Sequence, residues 1–221
     1  MTEPRPAPVL QRFALGLLGY SLLVVLWGAY VRASFSGDGC GDHWPLCHGV
    51  VLPHQPNTKT VIELAHRVTS GLAWIGAAML PWLARRHAPA GAPVRRAAAL
   101  GLLFMTTEAL VGAAIVVLRK VANDVSVARG YWMAAHLINT FLLLISEALT
   151  VFWAAGGASL RGRVRGPLGL ATVVSFLGIT LIGVSGVIAA LGDTLFPVTS
   201  FVDGVRMDMA EGAHLWLRLR W

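Results

Sequence analysis

Charge is what this chain has least of. Only 13% of its 221 residues are Asp, Glu, Lys or Arg, and the mean hydropathy of +0.65 excludes an ordinary soluble domain. The signature loops of phosphate and zinc chemistry are missing as well: the sequence holds no Walker loop, no dinucleotide fingerprint and no His-Glu-x-x-His helix. Cysteine occurs twice, at Cys40 and Cys47, and nowhere else. No cleavable leader is evident in the polar, Pro-rich Met1–Pro8, so the first apolar run is expected to direct insertion itself.

What the chain does have is long apolar runs. Five are long enough to cross a bilayer, which takes about 20 residues: Leu10–Val31, Val61–Leu83, Arg96–Leu118, Tyr131–Ala154 and Pro167–Leu191. A sixth opens near Glu211 and reaches only to Trp221, too short to span. The expected fold class is therefore an all-α polytopic membrane protein. It is a transmembrane helical bundle with a four-helix first half, helix five and the start of a second repeat. Its domains are residues 1–160, with an outer loop at 33–60, and an incomplete second half at 161–221.

The net charge of +7 does not imply nucleic acid, because the bases sit in short loops between apolar runs. Arg85, Arg86, Arg95 and Arg96 fill one connection, and Arg161, Arg163 and Arg165 fill another. These are alternate loops on the same side as Arg5 and Arg12, so the positive-inside rule puts the N-terminus in the cytoplasm. Arg119, Lys120 and Arg129 run against that pattern, since they fall on the outer side. Trp27, Tyr30, Tyr131 and Trp132 read as interfacial belt residues.

The outer loop Ala33–Thr60 is rich in Gly, Pro, His and Trp, and its length points to function. Two cysteines this close in a loop facing an oxidising compartment most simply form a disulfide. Metal binding with His43, His48 and His54, or a pair of free thiols, are the competing readings.

The chemistry concentrates in Ile62-Glu63-Leu64-Ala65-His66-Arg67. Glu63, His66 and Arg67 stand at i, i+3 and i+4 and share one helix face. Such residues are expensive in a membrane and usually functional. The run that opens at Tyr131 carries a second early histidine, His136, at a depth like that of His66. Two imidazoles at equal depth on two helices of a bundle suit the axial ligation of one haem iron. Each histidine alone would more simply cap a helix end or bond across the bundle. Glu63 is read as an acid/base beside the macrocycle, or else as an ion-pair partner of Arg67. Arg67 and Arg32 suit haem propionates or lipid headgroups. Glu108 and Glu147 lie within apolar runs and are expected to face the bundle, with a proton path or a quinone contact as their conceivable uses.

A faint internal repeat relates Trp27-Gly28-Ala29, Ser36-Gly37-Asp38 and Trp44-Pro45 to Ser185-Gly186-Val187, Leu191-Gly192-Asp193 and Phe196-Pro197. By this repeat a counterpart of His66 falls near or just past Trp221, so the chain is expected to be cut early in its second half.

Taken together, these segments resemble the haem A synthase family of the respiratory membrane. The resemblance is carried by Trp27-Gly28-Ala29-Tyr30-Val31-Arg32, Ser36-Gly37-Asp38-Gly39-Cys40 and Asp42-His43-Trp44-Pro45-Leu46-Cys47-His48-Gly49. Ile62–Arg67 and Ala135-His136-Leu137-Ile138-Asn139 follow in the family's order. It implies two similar four-helix halves, each holding one haem through a histidine pair. It also implies conversion of haem O to haem A by successive hydroxylations of a ring methyl to a formyl group.

On matching positions His66 and His136 become the iron ligands of the first half, Glu63 the catalytic carboxylate, and Cys40 with Cys47 a disulfide or redox-active pair. The implied cofactor is an iron porphyrin, haem b or haem O. The implied partners are the haem O substrate, membrane lipid, and a haem O synthase or an electron acceptor, with the oligomeric state open. The ending Leu217–Trp221 resembles the stretch leading into the family's third ligand, which leaves His214 outside that role. A non-catalytic b-type cytochrome would use the same histidines without Glu63. A haem- or metal-handling subunit would use the cysteines as free thiols.

Overall fold

The computed structural model describes residues 6–158 and 166–215. Arg5, Arg161, Arg163, Arg165 and the ending Leu217–Trp221 lie outside the described residues. The fold is all-helical, with α1 Pro8–Ala33, α2 Thr58–His87, α3 Pro93–Val117, α4 Val127–Ala154, α5 Pro167–Leu195 and a short α6 Phe201–Asp208.

Local chemistry explains where these helices begin. Pro8, Pro93 and Pro167 each open a helix, at a position where a missing N–H costs nothing. The Asn57 side chain accepts from the Thr60 N–H and caps α2. At the other end of α2, Arg95 donates to the Arg85 and Ala88 carbonyls and closes the tight connection to α3. Helices α1 to α4 therefore start a few residues before the apolar runs, because caps and prolines set helix ends while hydropathy marks only the part that crosses lipid. At the far end, α5 runs on to Leu195, and the expected outer loop beyond it contains α6.

The first four helices close a ring, with α1 packed on α2 and α4, and α3 packed on α2 and α4. Neighbours run antiparallel: Trp27 Nε1 donates to the Ile62 carbonyl and Tyr20 Oη to the Thr69 carbonyl. A Cβ on Gly76 would come within 2.7 Å of Leu17, a close approach of two helices that a small residue permits. By contrast, α5 packs on α4 and stands outside the ring.

Helices α1, α3, α4 and α5 are long and apolar enough to cross a membrane. Helix α2 is as long, yet Lys59, Glu63, His66, Arg67, Arg85 and Arg86 hold its hydropathy down; its place between α1 and α3 makes it part of the same bundle. Large apolar side chains face outward, among them Leu181 and Ile182 of α5, as lipid contact requires. The chain is a multi-pass membrane protein.

The two ends of the ring differ. The inner half is filled by Leu10, Ala14, Leu17, Ala77, Leu80, Ala84, Val94 and Ala98, a close-packed Leu/Ala core. Within the bundle, Glu147 is fully buried and accepts from Ser21 Oγ at 3.1 Å. The outer half is hollow, and the long loop after α1 closes it.

That loop is pinned at three places. Cys40 and Cys47 are joined in a disulfide, with Cα atoms 4.4 Å apart. The Gly39 carbonyl accepts from Thr60 Oγ1 at 2.7 Å and faces His48 Nε2 at 2.9 Å. Gly39 itself lies so close to α2 that an added Cβ would stand 2.4 Å from the Lys59 backbone. Gly39→Ala is therefore expected to lift the loop off α2 and to destabilise the protein by ~1–3 kcal/mol, the usual cost of overpacking. Thermal unfolding of the detergent-purified protein measures it, and an unchanged midpoint would show that the contact is not tight.

The outer-side bases that run against the charge rule are each engaged locally. Arg119 pairs with Asp42 at 2.5 Å, Lys120 with Asp124 at 3.4 Å, and buried Arg129 donates to the Ala122 and Asp124 carbonyls. The Arg119 hydrogen bond holds the exposed Asp42 carboxylate below its ordinary range. This tie is therefore intact at neutral pH and is lost only as pH falls through that lowered value.

Candidate functional site

A cavity of about 770 Å³ occupies the outer half of the ring, within the range of ligand and cofactor sites. Helices α1 to α4 form its walls, Val187 of α5 reaches it, and Phe35, Trp44, Pro45 and Leu46 of the long loop roof it. Its lining is mostly apolar. The polar groups it holds include those the sequence singles out: Glu63, His66, Arg67, Arg32 and His136 all face it.

His66 is the eighth residue beyond Thr58, and His136 the ninth beyond Val127. Counted along their helices from these starts, both lie ~12–14 Å in at 1.5 Å per residue. Glycines make room for both rings. A Cβ on Gly28 would meet the His66 ring at 3.0 Å, and one on Gly112 the His136 ring at 3.8 Å. Among the described residues neither His66 Nδ1 nor His136 Nδ1 has a hydrogen-bond partner, although both are buried. Such orphaned imidazole nitrogens mark a site built for something else to occupy.

Glu63 is 3% exposed and serves two neighbours. One oxygen accepts from the Cys40 backbone N–H at 2.8 Å, and the other pairs with Arg67 at 2.5 Å. Arg67 also donates to the His43 and Leu46 carbonyls at 2.6 and 2.7 Å. The ion pair with Arg67 and the cavity-facing position thus coexist. Both ring cysteines lie close to this knot, so the disulfide loop rests directly on the carboxylate. Arg67 is fully engaged in holding the roof, whereas Arg32 is half-buried and its side chain makes no hydrogen bond among those found in the described residues.

Three lining residues go beyond those read from the sequence as site groups. Lys120 and Arg129 add positive charge to the same wall as Arg32. Arg129 lies seven residues before His136 on α4, two turns away on one face, so helical spacing alone pointed to it. Glu108, expected only to face the bundle, stands 3.4 Å from His136 Nδ1. Its spacing within α3 carried no sign of that contact. Glu147 lies deeper, against Ser21. His43 and His48 stay in the roof loop, and among the described residues no three His, Cys, Asp or Glu side chains gather as a metal site.

The chain matches the cytochrome oxidase assembly protein family over residues 11–218. A Thermus thermophilus protein named protoheme IX farnesyltransferase is 46% identical over 211 residues, 96% of this chain and 35% of that protein. The heme A synthase of Staphylococcus haemolyticus is 29% identical over 194 residues, 86% of this chain and 64% of the relative. The heme A synthase of Bacillus cereus is 42% identical over 96 residues, 43% of this chain and 31% of the relative. The chain thus spans about a third of the length of the Thermus relative and under two thirds of the Staphylococcus one. No solved structure matches it. The chain belongs to the cytochrome oxidase assembly protein family, the family of the haem A synthases.

Proposed function

We propose that this chain acts in haem A biosynthesis, holding haem O between His66 and His136 while a ring methyl is oxidised to a formyl group. The observation that carries the reading is one apolar cavity lined by two histidines at matched depth, with a buried carboxylate one turn from the first. The donor set fits an iron porphyrin: two imidazoles lining one apolar cavity, glycines beside both rings, and cationic side chains in the same lining. When bound, the haem iron supplies the redox chemistry. Water supplies the formyl oxygen, and the four electrons and four protons released per methyl pass to an acceptor outside this chain.

The chain's own residues do the rest. His66 and His136 fix the height and tilt of the macrocycle, with haem b as the other porphyrin they would accept. Arg32 and Arg129 face the cavity and suit the propionates. Arg67 holds the roof and, through Glu63, the wall below it. Glu63 is placed to take up or hold a proton beside the macrocycle edge, and the loop closed by Cys40 and Cys47 keeps water away. Residues 1–160 are the haem-binding half, a division supported by the closed ring of α1–α4. Residues 161–221 open a second unit, as the attachment of α5 outside the ring suggests. This reading places the chain in the inner membrane, and the alternation of basic loops supports a cytoplasmic N-terminus.

The name of the Thermus relative favours a second reading, farnesyl transfer to haem. Among the described residues no cluster of three or more acidic or imidazole groups is available to seat a diphosphate-bound cation. The match also covers only 35% of that protein, so its name can describe the rest. A haem farnesyltransferase is better placed as the partner that supplies the farnesylated substrate. Identifying the porphyrins in membranes with and without this protein, in one host supplied with haem O and in another that makes only haem b, separates the readings. Haem A is expected only when the protein is present. Appearance of haem O from haem b would establish the transferase instead.

A further inference from the structure

Glu108 sits midway along α3, a costly place for a carboxylate in a membrane helix. Its surroundings hold it in one orientation. Oε2 accepts from Asn139 Nδ2 at 2.5 Å, and Oε1 accepts from Thr140 Oγ1. Asn139 is itself fixed, accepting from Thr107 Oγ1 at 2.6 Å and donating to the Phe104 carbonyl at 2.9 Å. What this arrangement presents to the cavity is Oε1, 3.4 Å from His136 Nδ1.

His66 has no equivalent. Among the described residues its buried Nδ1 lacks a hydrogen-bond partner, and the nearby Glu63 gives its oxygens to Cys40 and Arg67. The two imidazoles of one cavity therefore differ in what stands behind them.

We propose that Glu108 is a positioning residue for His136: it receives the Nδ1–H, leaving the other ring nitrogen for iron, so the two haem ligands are unequal by construction. The proposal rests on the reading that His66 and His136 ligate haem. The present contact is longer than a hydrogen bond, and a small rotation of the ring closes it. Hydrogen bonds of this kind are commonly long before the ligand is bound. A carboxylate behind a metal-bound imidazole fixes its tautomer and raises its basicity, which favours the oxidised iron. His136 is thus the anchoring ligand. His66, facing the side with Glu63 and the disulfide loop, is the one that yields first when the substrate must shift.

The test uses the full native protein purified with its haem. Wild type, Glu108→Gln, Glu108→Asp and Thr140→Val are compared for haem content, midpoint potential and ferric EPR spectrum. Glu108→Gln is expected to keep its haem, to move the potential positive and to change the g-value spread, with Glu108→Asp recovering part of the shift. Thr140→Val removes a competing donor from Oε1 and is expected to move the potential negative, which serves should Glu108→Gln not fold. Unchanged potentials and spectra with haem retained would overturn the role of Glu108 and leave the histidine pair standing. Wild-type protein lacking a two-imidazole low-spin spectrum would overturn the parent reading instead.

Discussion

His66→Ala and His136→Ala are each expected to abolish haem A formation and to strip most haem from the purified protein. Among the described residues each removes one of the two imidazoles that line the cavity, and the other nitrogen-bearing side chains there are Arg, Lys and Trp rather than imidazole. Loss of an outer-shell partner alone costs roughly 10–100-fold in affinity or activity, and loss of the ligand itself exceeds that. Neither change threatens the fold, because the close-packed Leu/Ala core lies at the other end of the ring. Pigment extraction and protein-bound haem per polypeptide measure the effect, and haem A persisting after either change would contradict the assignment.

Glu63→Gln carries the second large effect. The amide keeps the shape and one acceptor but loses the charge and the ability to exchange a proton. Methyl oxidation is expected to fall by roughly 10²–10⁴-fold, the range of a positioned acid or base. A structural cost comes with it, since Arg67 is left as a buried cation without its counter-ion, a loss of ~3–5 kcal/mol when nothing replaces the partner. The carbonyls of His43 and Leu46 offset part of that loss. The haem spectrum separates the two effects. Haem O bound normally but not converted identifies a chemical role. A protein that loses its haem shows that Glu63 serves the roof. An electron-carrying cytochrome would keep both its spectrum and its electron transfer, so this variant also decides against that rival.

The spans and the proposed site residues were legible in the sequence for simple physical reasons. Apolar runs must cross lipid, and an ionisable residue stays in such a run only if the bundle uses it, so Glu63, His66 and His136 stood out. Their depth could be counted because helical rise is constant. What stayed hidden depends on contacts between helices. The approach of Glu108 to His136 is set by the rotation of α3 against α4, which no single helix reveals. The engagement of Arg67 with two loop carbonyls depends on how residues 34–57 fold, and hydropathy is silent on that. Arg119, Lys120 and Arg129 ran against the charge rule because each answers to a local partner rather than to the membrane.

The disulfide touches the site through the same contacts. The Cys40 N–H holds Glu63, so opening the ring from Cys40 to Cys47 loosens the carboxylate as well as the roof. The roof and the acid are therefore one unit, and a change to either is read at the other.

The most direct measurement is near-infrared magnetic circular dichroism of the ferric protein, which reports the axial ligands of haem. The account predicts a band typical of two-imidazole low-spin iron in wild type and in a control with His54, an outer-loop residue away from the cavity lining, replaced by Ala. That band should vanish in both His66→Ala and His136→Ala. Its survival in either histidine variant would show that the iron is held elsewhere and would contradict the central claim.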